Sequence, residues 1–220
     1  MRLNDKQKQQ LFDKFSAVDS RGHTLMTPCV VSKTRKTLYL HIAKTGGSSI
    51  AKCLIELGLD DGLLSNKNMS ANFKKSYFYD VVDNWESYFT FTFVRNKYDQ
   101  LVSLYHYDRH LLGNMSFEDF MEKRVATSED EYGFWLDQYY LTHTNGHQIF
   151  DFIGKTETHD DDWRSVCERI SIPHTRKEVN VGKYDKNRTI ASFYNETTLG
   201  IVNKKFREEI DHFGWELKNG

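Results

Sequence analysis

The sequence predicts an α/β fold of three layers, a central and mainly parallel sheet flanked by helices. Two strand–turn–helix units and a third strand carry that expectation. The segment Thr37 to Ile42 (TLYLHI) is rich in strand formers and runs through AKTGG into SSIAKCLIELG, whose apolar residues recur at helical spacing until Gly58. Tyr88 to Val94 (YFTFTFV), nearly all aromatic or β-branched, leads in the same way into RNKYDQLVSLYHYDRHLL, and Ile149 to Gly154 (IFDFIG) is a third strand between helical stretches. Repeated strand–helix alternation builds parallel sheets covered on both faces, with ligands beyond the carboxyl ends of the strands.

In chain order, Asn4 or Asp5 caps a first helix with Leu11, Phe12, Phe15 and Val18 on one face, expected to pack on the outside of the domain. Asn72 to Trp85 reads as a helix between the two units. In the second unit Asp99 falls in the first helical turn, where an acid suits the helix dipole, and Leu101, Val102 and Tyr105 face inward. Further helices are expected over Ser116 to Arg124, Asp130 to Thr142, Asp160 to Ile170 and Glu196 to Phe213. No repeat or Pro/Gly-rich linker divides the 220 residues, so one domain over 1–220 is expected, with 1–36 as N-terminal helix and lead-in and 37–215 as the core.

Hydrophobic residues make up 39% of the chain and aromatics 14%, enough for a sizeable core and unlike a disordered chain. Thirty Lys+Arg balance thirty-one Asp+Glu for a net charge of -1. No whole-surface field therefore draws the protein to nucleic acid or anionic lipid, and any anion must be held locally. Cys29, Cys53 and Cys167 are far apart with no His at zinc-ligand spacing, which argues against a disulfide framework or structural zinc. His106 and His110 bracket Asp108 but lack a third ligand, so no metal is expected. The opening MRLNDKQKQQLFDKF has no signal-like apolar run, and no stretch of about 18 apolar residues follows. The expectation is a soluble, cytoplasmic protein without an integral membrane segment.

The chemistry concentrates at the ends of the first two strands. In His41-Ile42-Ala43-Lys44-Thr45-Gly46-Gly47-Ser48-Ser49 a short glycine turn aims backbone N–H groups outward at a helix N-terminus, a geometry that binds anions. Lys44 adds a charge, and Thr45, Ser48 and Ser49 add hydroxyl donors. The plainer alternative is a tight turn with Ser48 or Ser49 as helix cap. The spacing is not Walker A, because Lys44 precedes the glycines, which disfavours an ordinary ATP site. At the second strand's end Arg95 is followed by Ser103 two helical turns on, so guanidinium and hydroxyl can converge on one phosphate, unless Arg95 merely pairs with Asp99. A ligand with two separate phosphate groups explains both loops together.

These residues resemble a known family. HIAKTGGSS is similar to the 5′-phosphosulfate loop, and FTFVRNKYDQLVSLY to the 3′-phosphate motif, of sulfotransferases that use 3′-phosphoadenosine 5′-phosphosulfate (PAPS), specifically the carbohydrate-type branch. Gln138, the run Asp151 to Lys155 with Glu157 and Asp162, Asn180, and the segment Phe206 to Trp215 agree, so the resemblance covers roughly 37–215. It implies a P-loop-like nucleotide-binding sulfotransferase fold, PAPS as donor with PAP as product, no metal, and a glycan or small-molecule acceptor. Lys44 is then the catalytic charge on the bridging oxygen. Thr45, Gly46, Gly47, Ser48 and Ser49 hold the 5′-phosphate, Arg95 and Ser103 the 3′-phosphate, and Lys183 adds charge from the 180–188 loop.

The chain departs from the family pattern at several positions. Pro is usual where Ala43 and Lys97 stand, and Arg where Lys155 stands. No His lies between Ile42 and Tyr105, and the usual general-base His falls near Asn68, whose amide cannot take a proton from an alcohol. Lys67, Asp60, Asp61 and His41 are the substitutes available. Two other readings stay open: a PAP- or nucleotide-binding protein without catalysis, and a small-molecule kinase.

Overall fold

The computed structural model describes residues 3–16, 29–60, 71–127, 136–175 and 189–217, and of 71–75 the backbone alone. The regular elements are α1 (Asp5–Ser16), β1 (Val30–Ser32), β2 (Thr37–Tyr39), α2 (Gly47–Glu56), α3 (Ala71–Asp83), β3 (Phe89–Val94), α4 (Lys97–Leu112), α5 (Phe117–Phe120), α6 (Gln138–Thr142), β4 (His143–Thr144), β5 (His147–Gln148), β6 (Phe152–Lys155), α7 (His159–Arg169), α8 (Glu196–Lys205) and α9 (Arg207–Phe213).

Four strands form the main sheet in the order β1-β2-β3-β6. β2, β3 and β6 are parallel, with Tyr39 opposite Phe91 and Val94 opposite Lys155, so their carboxyl ends share one edge. β1, in the stretch expected to be lead-in, joins antiparallel to β2. β3 shows why the sheet is a middle layer. Phe91 and Phe93 face Tyr39, Ile50 and Leu54 of α2, and Trp163 and Val166 of α7. On the other face Leu38, Leu40 and Val94 meet Phe78 and Val81 of α3 and Leu101 and Val102 of α4. Side chains alternate across a strand, so a strand buried on both faces needs this unbroken apolar and β-branched run. Thr92 hides its hydroxyl there by donating to the Leu40 carbonyl at 2.7 Å. The α/β class and the mainly parallel sheet are as expected.

The differences lie at the margins. α1 joins the core instead of lying outside it: it packs on α3, with Leu11 and Phe15 buried. Its start is held by a reciprocal cap in which Gln7 N donates to Asn4 Oδ1 and Asn4 N to Gln7 Oε1, both at 2.9 Å. Val18 lies outside the described residues. β2 ends at Tyr39, three residues early, because the chain turns into the glycine loop after Leu40 N bonds Phe91 O. In the Asp130 to Thr142 stretch the described helix is only α6, capped by Asp137 accepting from Tyr140 N; 130–135 lie outside the described residues. The Glu196 to Phe213 helix breaks at Phe206 (φ -116°, ψ 26°) into α8 and α9. That break re-aims α9, which matters below. Among the described residues no helix is long and apolar enough to cross a membrane.

Candidate anion-binding site

The parallel strands deliver two loops to the same edge of the sheet. After β2 the chain makes two left-handed steps, Lys44 at φ 64° and Gly46 at φ 75°, before α2 begins at Gly47. Gly46 adopts that conformation freely, whereas a lysine in it is strained by about 1–2 kcal/mol. A lysine kept at a backbone position that suits glycine points to a task for its side chain. Gly46, rather than Ser48 or Ser49, is the cap residue of α2, and it provides no side-chain hydrogen bond. The first N–H groups of the helix have no intrahelical partner, and the positive end of the dipole lies there. Ser48 and Ser49 stand half-buried in that first turn. Thr45 is fully buried and its hydroxyl donates to the Ile42 carbonyl at 2.8 Å. It therefore braces the turn from inside and offers a ligand its backbone.

Gly47 meets a spatial demand. A Cβ there would lie 2.1 Å from His41 Cδ2 and 2.2 Å from Tyr39 Oη. Tyr39 is sealed in the core, so its ring cannot move away. Gly47→Ala is expected to destabilise the protein by about 1–3 kcal/mol, the usual effect of overpacking, and to displace the turn. Gly46→Ala meets open space and carries only the left-handed strain. Thermal unfolding of the two variants checks the contrast: the Gly47 variant should unfold at the lower temperature.

Arg95 follows β3 directly. Its Nη1 donates to the Lys44 carbonyl at 3.4 Å, so the two loops touch through their basic residues. Its Nε is buried without a hydrogen-bond partner, and it has no carboxylate partner among the described residues, Asp99 included. Lys44 lies with its ammonium 4.1 Å from the centre of the Tyr107 ring. Burial lowers its pKa first, the Arg95 charge lowers it further, and the buried Asp108 raises it in opposition. Two neighbouring cations and an orphaned guanidinium N–H thus gather at a helix N-terminus, a combination of groups that suits an anion. Ser103 lies one helical turn before Tyr107 on α4, on the side where the Lys44 side chain rests.

Behind the loops runs a buried polar chain that sequence reasoning did not find. Gln100 Nε2 donates to the Ala43 carbonyl at 2.8 Å, and Lys97 Nζ donates to Gln100 Oε1 at 2.6 Å and pairs with Glu209 Oε2 at 3.0 Å. Glu209 accepts from Gln138 N and Nε2 at 2.7 and 2.6 Å, and Gln138 closes the chain on Arg95 by accepting from its N–H and donating to its carbonyl, both at 2.7 Å. Lys97 occupies the first position of α4, where proline is usual because that N–H has no helical partner. The side chain gained there is this ion pair.

The other named residues fall elsewhere. His41 stacks on Tyr39 with its Nδ1 buried and unpartnered, and burial with the nearby Lys44 lowers its pKa to about 4, which makes it a poor base. Asp60 follows the far end of α2, roughly 15 Å along the helix from the turn. Asp61, Lys67, Asn68 and Lys183 lie outside the described residues. Lys155 ends β6 at the same sheet edge and donates to the Phe213 carbonyl at 3.3 Å, beside Trp215. His110 Nδ1 lies 3.1 Å from the Tyr107 carbonyl and His106 packs edge-on to Phe193, and no group of three or more metal-ligating side chains is found among the described residues.

A family model described as the sulfotransferase family matches residues 27–214, which takes in both loops and every strand of the main sheet. The chain belongs to that family. No curated protein and no solved structure gave a match. As a sulfotransferase-family member the chain has sulfuryl transfer as its general chemistry, and the fold just described is consistent with the family's.

Proposed function

We propose that this protein transfers the sulfuryl group of PAPS to a hydroxyl or amine of a carbohydrate or small-molecule acceptor, releasing PAP, as part of the carbohydrate-type branch. The observation that carries the reading is the buried Arg95 Nε left without a partner beside the Lys44 turn. A phosphate there would satisfy it.

The donor supplies an activated sulfuryl group whose leaving phosphate gathers negative charge. Lys44 holds its ammonium at the turn to meet that charge, and the backbone of Thr45 to Ser49 cradles the 5′-phosphate, with Ser48 and Ser49 adding hydroxyls. Arg95 and Ser103 hold the 3′-phosphate, and Lys183 adds positive charge. Positive charge comes from these side chains, so the reading calls for no metal. Such displacements pass through charge-dispersed transition states, and alignment with charge stabilisation is the protein's main contribution.

Calorimetric titration tests the donor. PAP should bind, and either removing its 3′-phosphate or making Arg95→Ala should weaken binding about 10- to 100-fold, the worth of a charge-assisted hydrogen bond. ATP with Mg²⁺ binding as tightly as PAP would overturn the reading in favour of a kinase. Tight PAP binding without transfer to any acceptor in a broad panel would mark a non-catalytic nucleotide binder.

A further inference from the structure

A cavity of about 620 Å³ opens between α1, α6, the β4–β5 hairpin and α9. The hairpin end of the cavity lies by the amino end of β6, where Ile149 N bonds Thr142 O and Trp85 Nε1 bonds Ile149 O, whereas Asp137, Tyr139 and Glu208 flank Gln138 and Glu209 of the chain behind Arg95. Asp13, Asp137 and Glu208 line it, with Lys14 as the one cation among the described lining residues. That cation is already committed: Lys14 Nζ donates to the carbonyls of Tyr140 and His143. The wall is therefore net negative, unlike the Lys44 and Arg95 site, and it repels phosphates and sulfates.

Two acceptor atoms in this wall are left over. Thr144 is 7% exposed and its Oγ1 has no hydrogen-bond partner among the described residues; Gln10 Oε1 is likewise buried and unpartnered among them. Buried polar atoms are nearly always paired, so two orphans in one cavity wall mark where a ligand's donors belong. Thr144 is held firmly, because it precedes Asn145 and Gly146 at φ 52° and 76°, the left-handed pair that closes a two-residue hairpin. An aromatic surface completes the lining. Tyr139 stacks on His143 at 4.4 Å and Tyr140 stays 42% exposed. Burial and the neighbouring His212 and Lys14 keep His143 uncharged at neutral pH, with a pKa lowered to about 4, so it adds no positive charge.

We propose that this cavity binds a small hydroxylated amine, a primary ammonium carried on a sugar-sized skeleton. The carboxylates receive the ammonium, Thr144 Oγ1 and Gln10 Oε1 receive hydroxyls, and the face of Tyr140 away from the Lys14 ammonium, which lies 4.3 Å from its ring centre, covers the skeleton's C–H face. The site is independent of the donor site, and ligand binding here proceeds without transfer chemistry.

The test is calorimetric titration of the whole protein with glucosamine, N-acetylglucosamine and putrescine, with thermal unfolding measured on every variant. Glucosamine should bind saturably, N-acetylglucosamine at least about tenfold more weakly because its charge is gone, and putrescine more weakly because it lacks hydroxyls. Thr144→Val, close in shape, and Glu208→Gln, at an exposed position, should each weaken glucosamine several-fold, while Lys44→Ala leaves it unchanged. Absence of saturable glucosamine binding, equal affinity for the N-acetylated sugar, or wild-type affinity in both cavity variants overturns the proposal. Equal affinity for putrescine overturns the hydroxyl contacts. If Thr144→Val fails to fold, Glu208→Gln decides.

Discussion

Replacing Lys44 by alanine should cut sulfuryl transfer about 10²- to 10³-fold, the loss expected when one donor to a developing negative charge is removed. The backbone at Lys44 is left-handed, at φ 64°, and alanine inherits that strain without offering a charge in return. Glycine relieves it. Lys44→Gly should therefore unfold no earlier than wild type and yet be as inactive as Lys44→Ala, a pairing of effects that separates a functional lysine from a structural one. Among the described residues the ammonium's contact is the cation–π contact with the exposed Tyr107, so its removal breaks no core packing there. Its surroundings are electrostatically tense: burial and Arg95 disfavour its proton while Asp108 retains it. An anion arriving between Lys44 and Arg95 turns that repulsion into attraction. Rates of PAP release with PAPS and an accepted acceptor check the prediction, and an unchanged kcat in either variant would remove Lys44 from catalysis.

The sheet and both loops were legible because each rests on local chemistry. A strand buried on two faces must read as YFTFTFV does, and a turn that presents N–H groups at a helix start must carry glycine where Gly46 and Gly47 stand. The short elements were not legible. β1 and the β4–β5 hairpin have too few residues for any periodicity to register, although the Asn145-Gly146 pair is a turn signal in its own right. The break at Phe206 lacks a glycine or proline to announce it. It arises from tertiary demand, since Phe206 is buried with the Lys97 ammonium 4.2 Å from its ring centre, and α9 must tilt to bring Glu209 to that ammonium.

Lys97 illustrates the same limit within the site. In the sequence it is one more charge at a helix start, in a place where proline is usual. Only the fold reveals that it is fully buried and that its partner lies more than a hundred residues away in Glu209. A hydrogen-bond chain joining Ala43 to Arg95 through four side chains leaves no spacing pattern, because each link comes from a different element. The orphaned Arg95 Nε is equally invisible from sequence, where Asp99 is the obvious partner.

That buried pair carries the largest expected effect on stability. Glu209→Ala leaves the Lys97 ammonium in the core without a carboxylate partner, hydrogen-bonded to Gln100 and the Leu136 carbonyl, and it should destabilise the protein by about 3–5 kcal/mol. Burial disfavours the charged form of both groups, and their mutual attraction is what offsets it. Replacing both together, Lys97→Met with Glu209→Leu, removes the uncompensated charge and should recover most of the loss in urea unfolding, since well-packed apolar pairs commonly match buried ion pairs. Function should not recover with it. Glu209 is also the acceptor that fixes Gln138, and Gln138 grips both backbone groups of Arg95. The double variant should fold well and still bind PAP at least about tenfold more weakly than wild type, because Arg95 is no longer held in place. If stability and PAP affinity returned together, the chain from Lys97 to Arg95 would be a packing device alone. If stability returned and affinity did not, Glu209 is a positioning residue that acts on the anion site through Gln138, and the bend at Phe206 exists to place it there.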